Sequence, residues 1–313
     1  MKSTTYLVTG GGGFLGRYVL GSLVEQGDSV TVLGRTPLHG WRTILADLTS
    51  SEINLLGESY STVYHLAGLA HRIPSTESER DMFFRVNVLG LKNLLHALER
   101  SGELPRAIVL ASSVAVYGVD NGILLDEATP RAAVDPYGAS KREAEDALME
   151  WSARHSVRAT ILRLPLVCGK GAPGNLGTMM QSLACGRYLG IGSGSARRSM
   201  VLARDVAEIL PKAAQVSGVF HLTDSYHPSF AELERSISSA LGRKAPRRLS
   251  VGAAKLGAWI GDSCQSITGW ALPLNKNTFS KMTSTLTFSD ERARQDLGWK
   301  PSKVLDHVLE FTT

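Results

Sequence analysis

The chain has few cysteines and no long apolar run, and each shortage excludes a class of protein. Its three cysteines (Cys168, Cys185 and Cys264) are far apart and form no C-x-x-C pair, so the sequence predicts neither a disulfide framework nor a metal site. No apolar run approaches the length of a membrane span, and the N-terminus leads into a strand rather than a signal peptide. These absences predict a cytoplasmic protein with no membrane partner.

The net charge is also modest. The net charge of the 313 residues is +5, and the basic residues are scattered along the chain. A nucleic-acid-binding surface would need them collected in a tract or on one face, so we expect no nucleic-acid partner and only weak attraction of small anions. Repeats and low-complexity segments are absent too, while apolar residues are plentiful enough for a sizeable core.

Glycine, by contrast, is concentrated near the N-terminus. The run Thr5–Thr9 predicts a buried strand, and it leads into Gly10-Gly-Gly-Gly13-Phe-Leu-Gly16. Apolar residues at helical spacing follow. Strand, glycine loop and helix together are the context of a dinucleotide fingerprint, in which the helix N-terminus receives the pyrophosphate. The glycines match G-x-x-G-x-x-G from Gly10 and G-x-G-x-x-G from Gly11, and the alternative is a flexible linker.

The predicted second strand, residues 29–33, ends in Gly34-Arg35-Thr36. Enzymes that prefer NAD usually place an acidic residue there to accept hydrogen bonds from the ribose 2′-hydroxyl. A guanidinium suits the 2′-phosphate of NADP instead, so Arg35 predicts NADP, with NAD as the alternative cofactor. The alternative interpretation of Arg35 itself is an exposed loop arginine without a ligand.

Tyr137 and Lys141 lie four residues apart, downstream of the pair Ser112-Ser113. On a helix both side chains share one face, and the lysine ammonium then favours the phenolate, which prepares the tyrosine for acid-base chemistry. The pattern alone also arises on solvated helix faces. Its position after the glycine loop and the serines is typical of nicotinamide-dependent oxidoreductases that act on an alcohol or a ketone.

Strands and helices alternate as expected of a parallel sheet with crossover helices. The predicted strands are 5–9, 29–33, 42–45, 62–66, 106–111, 157–163 and 218–222, and the predicted helices lie near 14–26, 79–100, 137–154 and 203–210. Residues 166–198 are glycine-rich and irregular. We predict an α/β fold with a cofactor domain at 1–166, to which 203–222 returns, and a smaller α/β substrate lobe at 167–313.

Several phrases occur in a fixed order over most of the chain. They are Thr9-Gly-Gly-Gly-Gly-Phe-Leu-Gly16, Asp47-Leu48, His65-Leu-Ala-Gly68, Val86-Asn-Val-Leu-Gly90, Ser112-Ser-Val-Ala-Val-Tyr-Gly118, Tyr137-Gly-Ala-Ser-Lys141, Leu162-Arg-Leu-Pro165 and Arg198-Ser-Met-Val-Leu-Ala-Arg-Asp205. In these phrases the chain resembles the extended short-chain dehydrogenases/reductases of the NAD-dependent epimerase/dehydratase family, in the nucleotide-sugar branch. The resemblance implies a Rossmann fold with a doubly wound parallel sheet, and a sugar nucleotide bound in a cleft under the C-terminal lobe.

The resemblance also implies roles by position. Tyr137 would be the acid/base, Lys141 would hold the nicotinamide ribose and Ser113 would hydrogen-bond the reacting oxygen. The residues expected to contact the cofactor are Gly10, Gly13, Phe14, Leu15, Gly16, Arg35, Asp47, Leu48, Leu66, Ala67, Gly68, Tyr137, Lys141 and Pro165. Those expected to contact the substrate are His71, Ser113, Tyr137, Asn175 and Arg198. For His71, Asn175 and Arg198 the alternative is an exposed loop or turn.

Departures from the family pattern narrow the reaction. Related dehydratases carry Asp-Glu where this chain has Val114-Ala115, and neither of these side chains can transfer a proton. Several epimerases carry a hydroxyl residue at the position of Ala115 and a lysine at that of Ala70. Together with Arg35, these departures favour an NADPH-dependent reductase. Residues 221–230 and 281–290 resemble enzymes of surface-polysaccharide sugar synthesis, which favours a UDP-linked 4-keto-N-acetylhexosamine as substrate.

Two alternatives remain open. One is a UDP-hexose or UDP-N-acetylhexosamine 4-epimerase with tightly bound NAD. The other is a non-catalytic NADP-sensing protein on the same fold, although such proteins commonly lose the Tyr-Lys pair that this chain keeps. The resemblance further implies a homodimer, because relatives pair two helices of each chain. The predicted dimer seam consists of Val86, Leu91, Leu94, Leu95, Leu98, Ala144, Leu148, Met149 and Trp151.

Overall fold

The computed structural model of the protein describes residues 5–25, 27–70, 72–268 and 275–312. In this part of the chain the strands are β1 (Thr5–Thr9), β2 (Ser29–Gly34), β3 (Arg42–Leu45), β4 (Thr62–His65), β5 (Ala107–Ser113), β6 (Gly122–Leu125), β7 (Arg158–Leu164), β8 (Leu166–Cys168), β9 (Gly190–Ile191), β10 (Met200–Leu202), β11 (Gly218–His221), β12 (Arg248–Leu249) and β13 (Leu286–Phe288). The helices are α1 (Phe14–Glu25), α2 (Glu77–Phe84), α3 (Gly90–Ser101), α4 (Pro136–His155), α5 (Gly174–Ala184), α6 (Ala203–Ala213), α7 (Phe230–Ala240), α8 (Val251–Thr268), α9 (Lys276–Thr283), α10 (Glu291–Leu297) and α11 (Val308–Thr312). None of these helices is both long and apolar enough to cross a membrane.

Seven of the described strands form one parallel sheet in the order β11-β7-β5-β4-β1-β2-β3. The chain builds outward from β1 in both directions, so the strand order reverses between β1 and β4. In open sheets of this kind the ligand cleft lies at the carboxyl ends of the strands beside that reversal. The predicted doubly wound Rossmann sheet is therefore confirmed, and the cleft is expected where β1 and β4 end.

Helices cover both faces of the sheet. The central strands are buried along nearly their whole length, which is typical of parallel strands with crossover helices on each side. On one face Leu20 of α1 and Val206 of α6 belong to the same buried cluster. On the other face Leu94 of α3 and Leu148 of α4 pack together. The side chains at the strand ends therefore project from a rigid two-sided core.

The described part of the C-terminal region has a core of its own. Leu176 of α5, Leu233 of α7 and Phe311 of α11 pack in one buried cluster. Short strand pairs connect its segments: β8 with β10, β9 with β12, and β6 with β13. One strand from this half of the chain, β11, lies at the edge of the main sheet beside β7. The predicted division of the chain near residue 166 stays a prediction.

Two stretches differ from the predicted elements. The single helix expected at 79–100 is instead α2, a π-helical turn at Arg85–Leu89, and α3. The segment 166–198, expected to be irregular, contains α5. Glycines at its start and inside it hide its apolar spacing, but Leu176, Met179 and Leu183 are buried on one side. Tertiary packing therefore stabilises this helix despite the low helix propensity of its glycines.

Most residues of the predicted dimer seam pack inside the chain. Seven of them are buried in the core cluster beneath the sheet: Leu91, Leu94, Leu95, Leu98, Ala144, Leu148 and Trp151. They are covered because α3 and α4 turn their apolar faces toward the strands. The homodimer stays a prediction; Leu89 and Met149, and beside the helices Leu104 and Val134, are exposed apolar residues that such a contact could use.

Candidate active site

The loop after β1 has the close approach that a pyrophosphate site needs. Gly10 has a φ of 72°, and a Cβ at this position would lie 2.6 Å from the Ala67 backbone nitrogen. A Cβ on Gly16 would overlap the Gly10 carbonyl oxygen. Both positions therefore require glycine. The Gly13 N–H donates to the Gly10 carbonyl at 2.9 Å, and this turn supports the spacing G-x-x-G-x-x-G.

The helix that follows points its N-terminus at the end of the sheet. Phe14 and Leu15 are the first residues of α1 and are half-buried, with the Phe14 ring edge-on to Tyr18 at 5.7 Å between centroids. The free N–H groups of this first turn are suited to bind a phosphate. Pro165 lies between β7 and β8, at the same carboxyl edge. The predicted pyrophosphate contacts thus have the backbone that the ligand requires.

The glycine loop yields a first prediction. Gly16→Ala is expected to abolish dinucleotide binding, because the new Cβ overlaps the Gly10 carbonyl and forces the loop to shift. Gly21→Ala is the matched control on the same helix, since nothing lies within 4 Å of a Cβ there. It should leave binding intact and raise the free energy of unfolding by about 0.5–1 kcal/mol. Cofactor titration and urea denaturation measure both quantities, and unchanged binding by Gly16→Ala would contradict the assignment.

The predicted adenosine contacts meet beside the ends of β2 and β3. Asp47 accepts hydrogen bonds from the Thr49 N–H and hydroxyl, both at 2.8 Å. These bonds, and then the nearby Arg35 guanidinium, hold the pKa of Asp47 below its ordinary value. The Leu48 carbonyl accepts a bond from the Asn93 amide at 2.8 Å. Arg35 is exposed at this edge, so its side chain can reach a ligand phosphate.

The end of β4 is attached to the end of β1 and faces the catalytic helix. Residues 66–68 follow β4, and the Ala67 N–H donates to the Thr9 hydroxyl at 3.3 Å. A Cβ on Gly68 would lie 3.0 Å from the Lys141 Nζ. The absence of a side chain at Gly68 therefore lets Lys141 and Asn87 approach this backbone closely.

Sequence reasoning quoted Asn87 within a family phrase but assigned it no role. Its side chain lies in the π-helical turn, where the amide oxygen accepts from the Leu69 N–H at 2.7 Å. Its nitrogen donates to the Leu69 carbonyl at 3.1 Å and to the Ser140 hydroxyl at 2.9 Å. Ser140 in turn donates to the Tyr137 carbonyl at 2.8 Å. Asn87 thereby fixes the loop after β4 against the first turn of α4.

The three predicted catalytic residues come together at the carboxyl end of β5. Ser113 is the last residue of that strand, and Tyr137 and Lys141 lie in the first turns of α4. This helix begins where it does because Asp135 caps it, accepting from the Gly138 N–H at 3.0 Å, and Pro136 follows at the first helical position. The Ser113 side chain lies close enough to the Tyr137 phenol to affect its pKa.

The electrostatics of this group differ from the sequence prediction. Burial raises the pKa of the Tyr137 phenol, the Asp135 carboxylate adds to the rise, and the Ser113 side chain opposes it. Burial also lowers the pKa of Lys141 to about 8, and its Nζ donates to the Ala111 carbonyl at 2.9 Å. The expectation that the ammonium brings the pKa of the phenol below its ordinary value is wrong, because burial outweighs the opposing effect of Ser113.

A buried polar network lies behind these residues, and sequence reasoning missed it. Arg163 of β7 donates to both carboxylate oxygens of Glu145, at 2.7 to 3.2 Å, and both side chains are fully enclosed. Ser112 donates to the same carboxylate at 2.5 Å. Arg163 also donates to the Tyr117 hydroxyl at 2.7 Å, which meets the His221 Nε2 at 2.5 Å. The network joins β5, α4 and β7 to the edge strand β11.

Arg198, predicted to contact the substrate, lies in the segment before β10, beside Leu286 at the start of β13. Its guanidinium donates to the Lys281 carbonyl at 2.6 and 3.3 Å. Burial lowers the pKa of Arg198, and the opposing charge of Asp120, in the loop that follows Ser113, raises it. Asn175 is exposed in the first turn of α5, and His71 lies outside the described residues. The roles of these residues stay predictions.

Comparison with known proteins agrees with this geometry. The undecaprenyl-diphosphate-linked N-acetylglucosamine 4-epimerase of Escherichia coli O157:H7 is 26% identical, over 97% of this chain and 94% of the relative. The UDP-glucose 4-epimerase of Vibrio cholerae is 28% identical, over 98% of this chain and 93% of the relative. The structure of the Thermus thermophilus UDP-glucose 4-epimerase with NAD superposes with a TM-score of 0.76 at 21% identity. The superposition covers 99% of this chain and 98% of the epimerase. The NAD dependent epimerase/dehydratase family matches residues 6–220, and the chain belongs to this family of extended short-chain oxidoreductases and epimerases.

Proposed function

We propose that the protein is a 4-epimerase of a UDP-hexose or UDP-N-acetylhexosamine. The observation that carries the proposal is that Ser113, at the end of β5, lies beside Tyr137, with the buried Lys141 one turn along the same helix, at the cleft end of the parallel sheet. Relatives that match the chain over nearly its full length are sugar 4-epimerases. This departs from the reductase that the sequence motifs favoured.

The chemistry follows from where the two hydroxyls lie. Tyr137 removes the proton of the sugar C4 hydroxyl, and Ser113 holds that oxygen by a hydrogen bond while charge develops on it. When bound, the nicotinamide supplies the hydride acceptor and donor. Tyr137 then returns the proton after the ketone has presented its other face. Val114 and Ala115, which follow Ser113 directly, offer no second acid or base, so dehydration at neighbouring carbons is disfavoured.

The carrier of the sugar is proposed from Arg198. A guanidinium matches the geometry of phosphate oxygens, and the Arg198 guanidinium donates to a backbone carbonyl, Lys281 O, which a diphosphate can replace as acceptor. Two measurements therefore test the role of Arg198: binding of UDP to the wild-type protein, and loss of that binding in Arg198→Ala. Lysine at this position should recover only part of the affinity, because it provides a point charge without the fork.

The deciding experiment gives purified protein UDP-glucose or UDP-N-acetylglucosamine with no added cofactor. A 4-epimerase that retains its NAD converts either sugar to an equilibrium mixture of C4 epimers, visible by NMR of the anomeric protons. No conversion, with or without added NAD, would overturn the epimerase proposal. Binding of cofactor without turnover on any sugar would instead support the non-catalytic sensor.

A second candidate, an NADPH-dependent reductase of a UDP-4-keto-N-acetylhexosamine, is favoured by the end of β2. Gly34 occupies the position where an acidic side chain would accept from the ribose of NAD, and Arg35 is exposed next to it. A reductase consumes NADPH in proportion to the ketone supplied. Stoichiometric NADPH oxidation with the 4-keto sugar, combined with no epimerisation of the parent sugar, would establish this candidate over the first.

Arg35 also gives a prediction that concerns the cofactor alone. Arg35→Ala should weaken NADPH binding by about 1.5–3 kcal/mol, or roughly one to two decades, and leave NADH binding nearly unchanged, because only NADPH has a 2′-phosphate to lose a charged partner. Arg42→Ala is the control, since Arg42, the first residue of β3, is another exposed arginine and is paired with Glu58. Equal losses for the two cofactors would show that Arg35 acts on the fold rather than on the phosphate.

A further inference from the structure

The first part of helix α8, residues 251–261, is packed with its large side chains outward. In the stretch 251–261 the buried residues are small: Ala254, Ala258 and Gly261. The large apolar residues face solvent, with Leu256 60% exposed and Trp259 59% exposed. Amphipathic helices of globular proteins show the opposite arrangement, with large apolar residues against the core.

Four exposed apolar residues lie on this part of the helix, and three of them share one side. Val251, Leu256, Trp259 and Ile260, which we call the α8 face, are all exposed, and the last three lie within one turn on the same side of the helix. Lys255 is the one charged residue in the segment 249–261. A cluster of this kind on a water-soluble domain marks a surface that binds something apolar.

Positive charge surrounds the α8 face. The segment leading into the helix exposes Arg243, Lys244 and Arg247, which we call the basic loop. Arg248 beside them is neutralised by its ion pair with Glu234. From residue 235 to residue 289 the sequence contains eight lysines and arginines and one acidic residue. The basic loop thus places three exposed positive charges directly before α8 in the chain.

We propose that the α8 face and the basic loop bind the surface of a membrane that contains anionic lipids. Tryptophan and branched aliphatic side chains partition into the boundary between headgroups and acyl chains, and lysine and arginine beside them attract lipid phosphates. A second copy of the chain is a poorer occupant. A symmetric contact through this face would bring two basic loops together, and like charges across an interface oppose association.

The binding mode explains why the sequence predicted no membrane partner. That prediction considered runs long enough to span a bilayer, whereas an interfacial helix lies parallel to the surface and inserts only one side. The α8 face needs no more than three turns for this. The proposal concerns where the protein resides and is independent of whether it epimerises or reduces its sugar.

Vesicle flotation tests the proposal with the full-length protein. Wild type should float with vesicles of equimolar phosphatidylcholine and phosphatidylglycerol, and much less with phosphatidylcholine alone. The variant Leu256→Ser/Trp259→Ser/Ile260→Ser should lose binding to both. The variant Arg243→Gln/Lys244→Gln/Arg247→Gln should bind the anionic vesicles about a hundredfold more weakly, from about fivefold per charge, and added salt should have little further effect on it.

Matched controls separate this surface from general stickiness. Leu56→Ser/Ile123→Ser removes two other exposed apolar side chains, and Arg106→Gln/Arg154→Gln/Lys300→Gln removes three other exposed charges. Both should float as wild type does, and all variants should keep the far-UV spectrum and cofactor affinity of wild type. Failure of wild type to float, equal losses in the controls, or a dimer that the triple serine variant converts to monomer without any lipid binding would each overturn the proposal.

Discussion

Tyr137→Phe is expected to lower turnover by about 10²- to 10⁴-fold, the usual contribution of a positioned general acid or base. The ring should stay in place, because it is half-buried and packs edge-on against Phe83 at 6.2 Å between centroids. Phenylalanine keeps that packing and removes the hydroxyl that Ser113 contacts. Cofactor and sugar nucleotide should therefore bind with nearly the wild-type dissociation constants, and the loss should appear in kcat.

Two comparisons test whether the effect is chemical. Tyr60→Phe removes the hydroxyl of a buried tyrosine, which donates to Glu58 at 2.9 Å far from the cleft, and its turnover should match wild type. Turnover in Ser113→Ala should lie between that of Tyr137→Phe and that of Tyr60→Phe, because the substitution removes one hydrogen bond to the reacting oxygen and leaves the proton donor. Turnover in Tyr137→Phe within a few-fold of wild type would exclude the phenol as the acid/base.

Glu145→Gln is expected to lower the free energy of unfolding by about 3–5 kcal/mol. The substitution preserves shape but leaves the Arg163 guanidinium buried without its counter-charge, and loss of one partner of a buried pair costs about that much. The two side chains are only 4% and 1% exposed, so water cannot replace the carboxylate. Urea denaturation followed by tryptophan fluorescence measures the change.

The control for this prediction is a surface pair on the same helix. Glu150 and Arg154 are 78% and 61% exposed and lie four residues apart, so Glu150→Gln should cost no more than about 0.5 kcal/mol. The double variant Glu145→Leu/Arg163→Met should be less destabilised than Glu145→Gln alone, because it removes both charges together. If the double variant has a lower free energy of unfolding than Glu145→Gln, then Tyr117 and Ser112 depend on the pair for more than its charge.

The sequence was sufficient for the sheet and for the residues at its edge because both depend on local patterns. Apolar runs such as Thr5–Thr9, followed by the glycines, specify a strand and a close turn within a few residues of each other. The four-residue spacing of Tyr137 and Lys141 likewise needs one helix to bring both to the cleft. Each of these inferences uses contacts that are short in sequence.

The features that were missed depend on residues far apart in the chain. The Tyr117 and His221 contact joins positions separated by 104 residues, and Glu145 meets Arg163 only after β7 has entered the sheet. No period or motif marks these partners, because an isolated charged residue in a sequence looks the same whether it is exposed or paired in the interior. The raised pKa of Tyr137 was missed for a related reason, since burial is a property of the folded chain.

The π-helical turn at Arg85–Leu89 makes the length of this region as important as its composition. Its wide turn is closed by the Gly90 N–H bonding to the Arg85 carbonyl, five residues back. Inserting one residue here would rotate α3 by about 100° relative to α2 and turn the row that contains Leu91 and Leu94 away from the strands, whereas deleting one would close the wide turn to ordinary α-helix and move Asn87 off Ser140. Substitutions along the turn are therefore tolerable where insertions and deletions are not, and homologous chains should vary in residue type there while conserving the number of residues.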